Sequence, residues 1–96
     1  MTPLITFGKA LELLKQGKIV ARQGWSSKNM SIWLAPKITL LTSECKDDHL
    51  KQLAIDNGGS ISCLASIRFR NAEGRVLLGW TATQSDLLAE DWVEVL

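Results

Sequence analysis

Between Ile61 and Arg70 apolar and polar residues alternate, with Ile61, Cys63, Ala65, Ile67 and Phe69 on one side, Ser62, Ser66, Arg68 and Arg70 on the other, and Leu64 as the one exception. A period of two marks a strand with one buried and one wet face, which commits the chain to an antiparallel sheet needing a cover. Asn71-Ala72-Glu73-Gly74 follows as a hairpin turn into a strand over Arg75 to Ala82, in which Val76, Leu78 and Trp80 share a face. The cover lies at the start of the chain. Phe7, Ala10, Leu11 and Leu14 recur at helical spacing after Thr6, a capping side chain, and Gly17 supplies the left-handed stop.

The remaining elements are short. Ile19 to Ala21 reads as a strand leading through Arg22 and Gln23 to a bend at Gly24-Trp25, and Ser26 to Asn29 reads as the turn into a second strand, Met30 to Ala35, closed by Pro36. Ile38 to Leu41 suggests a further strand, and the segment around Asp47 to Ile55 a helix ended by Asn57-Gly58-Gly59. Thr83 or Ser85 can cap a short helical turn through Asp86 to Ala89, before a last strand from Trp92 to Leu96. The sum is α+β: an N-terminal helix on a small antiparallel sheet of about four to six strands, with a short helical turn before the last one. A chain of 96 residues suffices for one core, so one domain over residues 1–96 is expected.

Charge and hydropathy exclude several functions. The 11 Lys and Arg nearly balance 10 Asp and Glu, leaving +1, without the excess that extended nucleic acid or an anionic membrane surface would require. No apolar run approaches the roughly 20 residues of a spanning helix. The opening residues lack a basic and then apolar leader, so a cytoplasmic protein with Cys45 and Cys63 as reduced thiols is expected.

Catalytic and metal chemistry find little support. Cys45 and His49 are helically spaced and Cys63 can join them, but a fourth zinc ligand is missing, and Cys63 on the apolar side of its strand suits a small core residue. Gly24-Trp25-Ser26 is not a nucleophile elbow, no glycine-rich phosphate loop is present, and no cofactor is called for. Asp86, Glu90 and Asp91 could supply paired carboxylates, although Asp86 is placed to support a helix N-terminus.

What stands out is aromatic usage: Trp25, Trp33, Trp80 and Trp92 against two Phe and no Tyr. Arg22-Gln23-Gly24-Trp25 places a cation, an amide and an indole at one strand end, and Trp80 to Asp86 places another indole, the amide of Gln84 and a carboxylate at a second. Indoles stack on bases, a guanidinium pairs with phosphate, and a carboxylate accepts from ribose hydroxyls. A core tryptophan beside a surface arginine has the same pattern.

Thr6-Phe7-Gly8-Lys9-Ala10-Leu11, Arg22-Gln23-Gly24-Trp25 and above all the run from Trp80 to Trp92 resemble the phage Thoeris anti-defence protein two family, with Lys37 to Ser60 outside the resemblance. The chain departs from the family pattern at Thr83, Gly79 and Leu64-Ala65-Ser66. The resemblance implies a non-enzymatic sponge that sequesters cyclic ADP-ribose isomers, and in some members cyclic dinucleotides, in the cytoplasm of an infected or lysogenic host. It also implies a homo-oligomer, a dimer of dimers, with pockets at subunit interfaces. On this reading Trp25 stacks on the ligand base, Trp80, Gln84 and Asp86 complete the pocket, and Arg22, Asn29 and Met30 form its wall. Trp92 is expected in the core and Trp33 in the core or an interface. An enzyme cleaving the same signal, with Asp86 or Glu90 as general base, and an adaptor binding a host protein through Trp33 and Trp25 are the alternatives.

Overall fold

In the computed structural model, which describes residues 3–96, Thr6 begins the first helix by accepting from the Lys9 amide, and α1 runs Phe7–Lys15. Gly17, at φ 85°, ends it: its amide donates to the Leu14 carbonyl and that of Lys18 to Leu13, the paired bonds of a glycine-terminated helix. The strands that follow are β1 (Ile19–Arg22), β2 (Ser31–Ala35), β3 (Ile38–Leu41), β4 (Ser60–Cys63), β5 (Ser66–Arg70), β6 (Val76–Leu77) and β7 (Trp92–Val95). Helix α2 (Asp48–Asp56) lies between β3 and β4, and α3 (Gln84–Leu88) precedes β7.

The chain divides into two compact units, one formed by residues 1–35 and 66–96 and the other by residues 36–65. The first holds an antiparallel sheet in the order β6-β5-β2-β1-β7. Val20 stands opposite Ile32, which stands opposite Phe69, so residues of one parity across three strands look toward α1. Ala10, Leu14, Val20, Ile32 and Trp92 form its fully buried core, with Phe7, Trp25, Phe69 and Trp80 packed around them. The α+β architecture and its N-terminal helix are as the sequence predicts.

The second unit is inserted between β2 and β5. Its β3 and β4 pair antiparallel, and α2, capped by the Asp47 carboxylate on the Leu50 amide, packs on β4 with Ala54 buried. Strand and helix arise where the spacing predicts them.

Two expectations need correction. The alternation from Ile61 to Phe69 is not one strand. It is β4 and β5 in separate sheets, divided at Leu64, which is 89% exposed. Each strand is half-buried on its own, so both keep the period of two although they face different neighbours, and Leu64, the one break in the pattern, marks the crossing. The strand expected over Arg75 to Ala82 shortens to β6. Val76, Leu77 and Leu78 are all exposed, and beyond Leu77 the chain follows β5 through the Trp80 amide on the Ile67 carbonyl (2.8 Å) and the Ser66 hydroxyl on Leu78 (3.3 Å). An edge segment with one neighbour and no cover has little to hold it in a regular ladder.

Trp92 is fully buried, and its indole Nε1 donates to the Asp86 carbonyl at 2.9 Å. Trp92→Ala removes both packing and that bond and is expected to lower stability by about 3–5 kcal/mol. Trp33 is only partly buried, so Trp33→Ala is expected to cost less in the same urea-unfolding series.

Candidate functional site

Both tryptophan-bearing motifs lie in the first unit, where a cation joins them. Arg22, the last residue of β1, donates from Nε to Asp91 Oδ1 at 2.9 Å and from Nη1 to Asp86 Oδ1 at 3.0 Å. Asp91 pairs with two donors, since its second oxygen accepts from the Gly24 amide at 2.9 Å. Asp86 is the third residue of α3 and closes a reciprocal cap: its Oδ2 accepts from the Thr83 amide and hydroxyl, while its own amide donates to Thr83 Oγ1. Thr83 therefore supplies the capping oxygen of α3.

These bonds set the charges. The hydrogen bond to Asp91 does most to raise the Arg22 guanidinium above its ordinary value, against the opposing effect of burial. Burial is the largest influence on Asp86 and acts to raise it, yet the Thr83 bonds and Arg22 together hold its carboxyl below the usual carboxylate range. Asp91 is held low chiefly by Arg22. Groups tuned this way are permanent charges at neutral pH and lack the poise of a general acid or base.

Above this frame lies an aromatic cluster. The Trp25 ring meets Trp92, Phe69 and Trp80 edge-on, at centroid separations of 5.4, 5.6 and 6.5 Å, and Trp80 lies at 30° to Phe69. Trp92 is buried, whereas Trp25 and Trp80 each keep part of their surface exposed.

The predicted site residues are thus partly assembled. Trp25 meets Trp80, and Arg22 meets Asp86. Gln84 is exposed at the first position of α3, two residues before Asp86. Met30 accepts a weak contact from the Ser26 hydroxyl at 3.8 Å, in the loop that carries Trp25. Asn29 is exposed and donates to the Ala72 carbonyl at 2.9 Å, tying that loop to the β5–β6 turn. Arg22 uses two of its five N–H donors on aspartates, so donors remain while much of its charge is answered. Sequence reasoning offered Asp91 only as a member of a carboxylate pair and missed its part as the partner of Arg22 and Gly24.

Two concavities lie elsewhere. One, of about 400 Å³, is lined by Gly17, Ile19, Ser31, Trp33, Leu34 and Arg70 in the first unit, and one of about 270 Å³ by Lys37, Ile38, Thr39, Ser62, Cys63 and Leu64 in the second. Neither is lined by a residue of the predicted ligand pocket, although the first includes Trp33, the residue named for the adaptor alternative. Cys63 is a free thiol and half-buried, less enclosed than a core residue.

The ion-pair frame makes stability acid-sensitive in a defined direction. Asp86 and Asp91 have folded values below the ordinary one, so their contribution is complete above the unfolded value of about 4 and is lost as pH falls through the folded values. Asp86→Asn is expected to cost about 1.5–3 kcal/mol at pH 7 and to flatten the acid limb of a melting-temperature profile. An acid limb identical to that of the unaltered protein would contradict the assignment.

The family model described as the Tad2-like, or Thoeris anti-defense 2-like, domain matches residues 5–95. Thoeris anti-defense 2 of Bacillus phage SP01 is 33% identical over 94 residues, covering 96% of each chain. The match begins at Ile5, bridged to Trp92, and ends at the last residue of β7, taking in both motifs and the inserted unit. The chain belongs to the Thoeris anti-defense 2-like family.

Proposed function

We propose that the protein inhibits Thoeris defence without catalysis, by binding cyclic ADP-ribose isomers or cyclic dinucleotides and holding them intact in the cytoplasm. The observation that carries this reading is the pairing of two half-buried indoles, Trp25 and Trp80, beside a frame whose ionisable groups are all committed to fixed charges. Family membership supports the inhibition of Thoeris defence. The family match runs unbroken through both compact units, which supports treating residues 1–96 as one functional domain.

In this reading Trp25 and Trp80 take the base, Gln84 offers an amide to its edge, and Arg22 donates through its uncommitted N–H groups to a phosphate. Asp86 keeps Arg22 oriented, and Asn29 and Met30 shape the loop wall. Nanomolar sequestration needs about −12 kcal/mol. Stacking supplies roughly 1–3 kcal/mol per base and a charge-assisted hydrogen bond roughly 1.5–3, so several must act together.

An enclosing pocket is best built by more than one copy, and a homo-oligomer, a dimer of dimers, is part of the proposal. Leu87 and Leu88 are exposed beside Asp86, and Val76, Leu77 and Leu78 are exposed along an edge of the sheet. Apolar surface of this kind beside unpaired strand edges favours association.

The test is incubation with cyclic ADP-ribose isomers, removal of free ligand, heat release and chromatography of the nucleotide. Intact recovery is expected, and an altered product would support the signal-cleaving enzyme instead. Trp25→Ala and Trp80→Ala are expected to abolish retention while leaving the oligomer in place by native mass spectrometry. Undiminished retention by both variants would remove these rings from the site.

A further inference from the structure

We infer that Asp91 is the positioning residue for the Trp25 turn; the inference deepens the preceding reading and rests on Trp25 being the stacking surface. Asp91 holds three consecutive residues of a single turn. Its Oδ1 accepts from Arg22 Nε, its backbone carbonyl from the Gln23 amide and its Oδ2 from the Gly24 amide, each at 2.9 Å. The turn closes on itself through the Trp25 amide on the Arg22 carbonyl at 3.1 Å. The next residue along the chain, Trp92, meets the Trp25 ring at 5.4 Å and 77°. Asp91 therefore fixes the backbone of the turn while its buried neighbour fixes the ring.

Gly24 follows from the same contact. It is not among the glycines with positive φ, so backbone conformation does not demand it. A Cβ built there would stand 2.9 Å from Asp91 Oδ2. The carboxylate fills the space a side chain would need, and the glycine of the Arg-x-Gly-Trp motif is the counterpart of Asp91. Asparagine cannot replace the carboxylate: it offers one oxygen where two separate oxygens accept, and its amide hydrogens would face the N–H of Gly24 or Arg22. A ring already held in place loses less freedom when a ligand settles on it, so loosening the turn weakens binding even when the stacking ring remains.

The test uses full-length protein labelled with 5-fluorotryptophan, with the Trp25 and Trp92 fluorine resonances assigned by Trp25→Phe and Trp92→Phe. In Asp91→Asn, and separately in Gly24→Ala, the Trp25 resonance is expected to move toward the free amino-acid position while that of Trp92 stays in place. The Kd for a cyclic ADP-ribose isomer that the unaltered protein binds is expected to rise on the order of 10-fold. Gly24→Ala keeps every charge, so it decides the matter if Asp91→Asn does not fold. An unmoved Trp25 resonance, Trp25 and Trp92 resonances moving together in both variants, or a moved resonance with unchanged affinity would each overturn the inference. If the resonances behave as expected but the unaltered protein binds no cyclic ADP-ribose isomer, the positioning of Trp25 stands and the sequestration reading falls.

Discussion

A partly buried guanidinium answered by two carboxylates is the constraint on which the first unit depends. Arg22 sits at the end of β1, while Asp86 and Asp91 arrive from α3 and the entry to β7, so one cation ties together segments that are remote along the chain. A charge taken out of water must be paired and hydrogen-bonded. Here the requirement is met at both partners: Asp86 is completed by its helix cap and Asp91 by the Gly24 amide. Removing Arg22 takes the cation from both carboxylates, and removing either carboxylate leaves Arg22 with a single acidic partner, which couples the three residues.

The frame supports aromatic surface. Trp92 divides its roles, filling the core against Phe7 and donating its indole hydrogen to the Asp86 carbonyl, so the hydrophobic core and the polar frame share a side chain. Trp25 and Trp80 rest on that base without being enclosed by it. Rings packed edge-on against neighbours gain from the electrostatics of that geometry and are restricted in orientation. That is a favourable starting state for stacking, because the protein has already ordered much of what a ligand would otherwise have to order.

Much of the fold was legible in local chemistry. Thr6 and Gly17 delimit α1, Asp47 and Gly58-Gly59 delimit α2, and Thr83 opens α3, each through a bond between side chain and backbone or a conformational freedom written in one or two residues. Sheet membership was less legible. Alternation reports which side of a strand is buried and is silent on its partner, so β4 and β5 looked continuous, and only Leu64 signalled the change. At the candidate site the residue types were readable and their pairing was not. A strand-end arginine suits a phosphate and an aspartate equally well, and the choice of Asp86 and Asp91 depends on how β1 and β7 register, with Arg22 opposite Trp92.

Membership of the Thoeris anti-defense 2-like family supports inhibition of Thoeris defence, and the proposed ligand site rests on the two adjoining, partly exposed indoles of Trp25 and Trp80. The most direct measurement is a crystal structure of the protein grown with a cyclic ADP-ribose isomer. The account predicts density for the unbroken nucleotide, its base against Trp25 with Trp80 alongside, and a neighbouring copy closing the pocket. Density confined to the concavity lined by Ile19, Trp33 and Arg70, with Trp25 and Trp80 packed only against protein, would contradict it.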